Sequence, residues 1–213
     1  MRVLRSVCCA LLTAAFLSSA ASAAEVNGVV ERLQKHYESV STIEAAFAQE
    51  VFSKSLNRSE TNEGRVFFKK PGKWKWLYND PAKGVFTSNG RKVWLFEPDF
   101  NQVLEKDVDA SSPAITTDFL TGVGNLRKDF DITLAAESSD AWRLELAPKQ
   151  QLPNVKKLFL EVDKTKLMVV KTVVVDYLGN EVRISFKDIK ANQPVNDSLF
   201  EFKPPKGAVI VRP

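Results

Sequence analysis

The chain is 213 residues long and 26% charged, with a formal net charge of +4, one histidine and two cysteines. So small and dispersed a positive balance argues against a nucleic-acid binder. A single histidine excludes any two-histidine metal site and leaves His36 as the only base for a Ser-His-Asp triad.

The first 23 residues read as an address rather than as structure. Arg2 and Arg5 form a positive n-region, residues 7–17 an apolar run broken only by Thr13, and Ala21-Ser22-Ala23 fits the small-residue cleavage pattern of an export signal. The run is too short to span a bilayer, which takes roughly 20 apolar residues. Residues 1–23 are therefore expected to be removed, leaving 24–213 as one soluble domain with a substantial core. Cys8 and Cys9 leave with the signal, so the mature chain is expected to form no disulfide and to hold no metal or lipid through a thiol. The expected compartment is the periplasm.

Val26, Val29, Val30, Leu33, Tyr37 and Val40 then fall on one face of a helix, with His36 at its boundary. From residue 42 the period changes to two. Ile43, Ala45, Phe47 and Val51 share one face of a strand over 42–51, and polar residues 53–62 read as a connection. Strands at 64–70 and 73–78 flank Pro71-Gly72, and in the second of them Trp74, Trp76 and Tyr78 face together. Asn89-Gly90 joins strands at 84–88 and 91–97, and another follows at 101–108. Residues 112–121 read as a short helix, with Pro113 in its first turn and Gly122 just past its end.

The second half is nearly all strand: 130–136, 142–147, 156–162, 167–177 and 181–189, the last with a slip in its alternation near Asp188. A helical turn opens the tail at 197, and residues 208–211 form a last apolar stretch. About eleven strands joined mostly by short turns predict a mainly β chain: one strongly curved antiparallel sheet, an incomplete barrel, with two helices covering its concave side.

Catalytic patterns are absent. There is no G-x-S-x-G elbow, P-loop, G-x-G-x-x-G or metal-ligand cluster, and Asp107 with Asp109 reads as a solvated strand end. Neither an enzyme nor a cofactor is expected. The informative feature is aromatic: Phe67, Phe68, Trp74, Trp76 and Tyr78, then Phe86, Trp94, Phe96 and Phe100. These residues suit either a packed core or an apolar concave face that holds an apolar ligand. The interleaved Lys69, Lys70, Lys73 and Lys75 would also suit single-stranded nucleic acid, which export argues against.

Several segments together resemble the outer-membrane lipoprotein carrier family, LolA. Ile43-Glu44-Ala45-Ala46-Phe47-Ala48-Gln49 is similar to its F-x-Q first strand. Gly64-Arg65-Val66-Phe67-Phe68-Lys69-Lys70-Pro71-Gly72-Lys73-Trp74-Lys75-Trp76 is similar to its G-x-[LFV]-x-[VFL]-K-R-P-x-x-F-R-W segment. Residues 88–98 resemble its D-G-x-x-[LV]-W-x-Y-[ND]-P hairpin, and Phe200-Glu201-Phe202-Lys203-Pro204-Pro205-Lys206-Gly207 its F-x-F-x-P-P-x-G ending.

The resemblance implies a periplasmic chaperone that binds lipoprotein acyl chains released by an inner-membrane ABC complex and delivers them to an outer-membrane receptor. Such a chain is expected to act as a monomer, without catalysis. The implied acyl-chain cavity comprises Phe47, Val66, Phe68, Trp74, Trp76 and Trp94. Leu33, Tyr37 and Phe119 would lie on the lids, and Lys70 would serve their closure. Lys70 departs from the family's arginine, and lysine lacks the planar fork of a guanidinium. The related receptor is itself lipid-anchored through an N-terminal cysteine, whereas Ala24 is expected at that position here. A lipid- or lipoprotein-sensing interaction module of the same fold is the alternative reading.

Overall fold

The computed structural model describes residues 13–79, 81–108 and 125–212, with side chains from Glu25 onward. A helix, α1 (Thr13–Ser39), precedes a long hairpin of β1 (Thr42–Ser53) and β2 (Arg58–Lys69). Shorter strands follow: β3 (Lys73–Tyr78), β4 (Val85–Asn89), β5 (Lys92–Glu97) and β6 (Gln102–Asp107). A one-turn helix, α2 (Leu126–Asp129), leads into β7 (Phe130–Glu137), β8 (Ala141–Pro148), β9 (Lys157–Asp163), β10 (Val169–Val175) and β11 (Glu181–Ala191). A 3-10 turn at Asp197–Phe200 precedes β12 (Val209–Val211).

All twelve strands belong to one sheet in the order β12-β6-β5-β4-β3-β2-β1-β11-β10-β9-β8-β7. Neighbours are antiparallel except for β12, which pairs parallel to β6 through Val209 opposite Gln102. The expected curved, mainly antiparallel sheet is present and open: among the described residues, β12 and β7 are its two edges.

Three boundaries differ from the expectation. The helix extends N-terminally of Val26 to Thr13, the first described residue, in keeping with the helix-forming alanines of that stretch. Residues 58–62 are strand, not connection: Arg58 to Asn62 pair with Ser53 to Gln49. Their side chains are mostly exposed, so that half of the hairpin projects past the core and leaves no apolar alternation to read. The apolar tail is a twelfth strand. The helix expected at 112–121, with Phe119, lies outside the described residues.

Candidate functional site

Strand register assigns each side chain to a face. On β2 and β3, Val66 faces Trp76 and Phe68 faces Trp74, and Trp76 in turn faces Phe86 on β4. Phe47 of β1 stands opposite Gly64 and Phe186. A Cβ at Gly64 would meet the Leu77 carbonyl oxygen at 2.0 Å and the Phe47 ring at 2.8 Å, so the missing side chain is what lets that ring lie over the strand. The rings meet edge to face in two groups. Phe47 lies 4.9 Å from Trp76 and 5.2 Å from Tyr78, Phe68 lies 5.8 Å from Trp76, and Trp74 lies 4.4 Å from Phe86.

The same face continues across the other half of the sheet in aliphatic residues. Leu160 of β9 pairs with Thr172 and Leu144, and Leu158 pairs with Val174 and Leu146. Half the concave face is thus aromatic and half aliphatic, and both halves belong to one buried cluster. Sequence reasoning nominated only the aromatic half. The alternation in 142–147 and 156–162 carried the signal for the other.

The helix covers the aliphatic half. Its stripe of Val26, Val29, Val30, Leu33, Tyr37 and Val40 is buried as the spacing predicts. Arg32 stacks its guanidinium 5.1 Å from the Trp142 ring centre, and Gln34 accepts from the Leu126 amide at 3.4 Å. Tyr37 hydroxyl accepts from the Val169 amide at 3.1 Å, next to the point where the β9–β10 register shifts. Burial pushes the Tyr37 phenol well above its usual range, an effect that the Val169 hydrogen bond opposes.

Lys70, at the end of β2, closes this cover from the sheet side. Its ammonium donates to the Tyr37 carbonyl and, at 3.2 Å, to that of Glu38. These are carbonyls of the last turn of α1, where a cation also complements the helix dipole. Burial lowers the Lys70 pKa, and the Glu38 charge acts in the opposite direction.

Five of the six nominated cavity residues meet on this face: Phe47, Val66, Phe68, Trp74 and Trp76. Trp94 does not. It pairs with Thr87, whose partner on β3 is Lys75, and both lie on the face opposite Trp74 and Trp76. One step of the two-residue period separates the faces, and aromatic character cannot reveal it. On that convex face Trp94 Nε1 donates to Glu105 at 3.0 Å, and its ring lies 6.1 Å from Phe202.

A C-terminal strap covers Trp94. Asp197 is gripped by Lys69 at 2.7 Å and Lys73 at 2.9 Å, while Lys75 donates to the Leu199 carbonyl at 2.9 Å. Phe200 is fully buried beneath the strap.

Space on the concave side is divided. Under Tyr37, between α1 and the sheet, a void of about 10 Å³ remains among Ile43, Ala45, Phe68 and Phe186, no more than one water's room. Toward the turns at the far end an open cavity of about 350 Å³ is lined by Tyr78, Phe86, Leu95, Phe96 and Phe100, with Gln49 at its side. Its size falls at the lower end of small-ligand sites. Among the described residues no group of three His, Cys, Asp or Glu could hold a metal, and no helix is long and apolar enough to cross a membrane.

These features define an open β half-barrel with a covered, apolar concave face. The family model described as outer membrane lipoprotein carrier protein LolA matches residues 38–203, and the chain belongs to that family. It is 31% identical to the outer-membrane lipoprotein carrier protein of Pseudomonas putida over the full length of both chains. To that of Methylobacillus flagellatus it is 28% identical, over 85% of this chain and 88% of the relative. An uncharacterized conserved protein from Thermus thermophilus shares the fold with a TM-score of 0.57 at 13% identity, over 89% of this chain and 99% of that one.

Proposed function

We propose that this protein is a periplasmic carrier whose concave face shelters the acyl chains of lipoproteins in transit between two membranes. Residues 1–23 act as the export signal in this reading, and 24–213 form the single carrier domain, a monomer. Cargo comes from an inner-membrane ABC lipoprotein-release complex and passes to an outer-membrane receptor. No bond is made or broken.

The observation that carries the reading is the continuity of the apolar face, aromatic from Phe47 to Phe86 and aliphatic from Leu144 to Leu160, beneath a helix held by Lys70. Burying a CH₂ is worth about 0.8 kcal/mol, so a long acyl chain in water costs on the order of 10 kcal/mol. Side chains of the protein itself fill most of the face, so loading requires α1 to lift. Phe47, Val66, Phe68, Trp74 and Trp76 are the acyl-chain contacts in this reading, and Leu33 and Tyr37 the moving side. Because the displaced helix contacts must be remade, part of the burial energy is returned at release and the cargo is not held irreversibly.

The test is native mass spectrometry of the protein isolated from the periplasm. Bound lipoprotein is expected. Its consistent absence, with lipoprotein sorting unchanged in a deletion strain, would sink the proposal.

A further inference from the structure

The wall of the open cavity is not wholly apolar. Phe86 of β4 stands opposite Leu95 of β5, so Glu97, two residues beyond Leu95, falls on the same concave side. Asp99 follows on the 3-10 turn Pro98–Phe100, and both carboxylates line the cavity beside Tyr78, Phe86, Phe96 and Phe100. Glu97 is half-buried and Asp99 exposed. Among the described residues no lysine or arginine lines the cavity; Lys83 lies between two lining residues, Ala82 and Gly84, without lining it itself.

Other acids at this end of the sheet are already engaged. Glu50 accepts from Ser59 and Arg183, Glu181 from Arg183, and Asp176 from the Leu178 and Asn180 amides, while Glu60 pairs with Arg58 at 3.5 Å. Among the described residues, the Glu97 and Asp99 carboxylates have no such partner. Two uncommitted carboxylates beside four rings suit one kind of guest. Each carboxylate attracts a cation directly, and an aromatic face attracts it through its quadrupole. A phosphate would be repelled, and among the described residues no third His, Cys, Asp or Glu completes a metal site. An ammonium carried beside hydrocarbon satisfies both parts of the wall.

The cavity adjoins the acyl-chain contacts. Tyr78 lies 5.2 Å from Phe47, and Phe86 lies 4.4 Å from Trp74, so the cavity is the open end of the aromatic half. Gln49 and Asn62, paired across β1 and β2, line it too and offer amides to a peptide backbone. We infer, resting on the carrier reading, that this cavity seats the polar end of the cargo and selects a lysine on the polypeptide adjoining the lipid. Glu97 and Asp99 receive its ammonium.

The test is a tryptophan-fluorescence titration of the exported protein with two synthetic lipopeptides. Both carry the same palmitoyl chains on the first residue, and the following positions hold lysine in one and glutamate in the other. The lysine form should bind about fivefold more tightly at low salt, and the preference should shrink at high salt. Glu97→Gln with Asp99→Asn should bind the two forms alike, and Glu97→Lys with Asp99→Lys should reverse their order. Equal affinities in the parent, or a lysine preference that survives in either variant, would overturn the inference and leave the carrier reading standing. Failure to bind either lipopeptide would refute both.

Discussion

The ammonium of Lys70 donates to the carbonyl of Tyr37, so the β2–β3 corner holds the last turn of α1 against the sheet. The contact joins two parts of the chain that must separate if the apolar face is to be uncovered. Replacing Lys70 by Ala should cost about 1 kcal/mol in urea unfolding and, more tellingly, speed hydrogen exchange at the amides of residues 36–40. Lys70→Arg should preserve the protection, since either cation reaches the carbonyls. Unchanged exchange in the alanine variant would show that the contact does not govern the helix.

The two tryptophans on opposite faces give a test of which side meets cargo. A photo-crosslinking residue at Trp76 should capture lipoprotein, and one at Trp94 should not. Crosslinks from position 94 alone would move the site to the convex face.

Gly64 is where the sheet admits the Phe47 ring. Gly64→Ala places a methyl into the Leu77 carbonyl and that ring, contacts neither can relieve cheaply, and should destabilise the fold by about 3 kcal/mol. Equilibrium unfolding in urea measures this directly.

Acid should loosen the edge near β12. Hydrogen bonds from Lys92 at 2.7 Å, Trp94 at 3.0 Å and Arg212 at 3.0 Å hold the Glu105 carboxyl down at about 2. A carboxylate with a depressed folded value contributes stability that is complete above its unfolded value of 4.5 and is lost as pH falls toward about 2. The gap in urea midpoint between the parent and Glu105→Gln should therefore be widest near neutrality and close below pH 4.5. A gap of constant size across that range would contradict the assignment.

Much of the fold was legible because local and global signals agree. The valine-leucine stripe of α1 is buried where its spacing put it, and the break in alternation near Asp188 is a bulge: its φ is 52° and the β1–β11 register shifts between Glu44 and Ala46. What could not be read lies where pattern and burial part company. Arg58 to Thr61 are held by the ladder and by exposed polar contacts, with no buried apolar side chain, and β12 finds its parallel partner across about a hundred residues. Trp94 satisfies every compositional criterion for the cavity, yet the strap residues Phe200 and Phe202 give the convex side an apolar cover of its own. Two apolar faces in one sheet defeat an inference based on residue type.

The separate edges at β12 and β7 have a mechanical consequence. In a closed barrel, strand number and stagger fix the radius. A row of strands that never meets itself has no such constraint, so small changes of twist shared among many residues alter its curvature while every ladder bond stays intact. The span between the aromatic and aliphatic halves is therefore an elastic variable of the fold, set by twist rather than by closure.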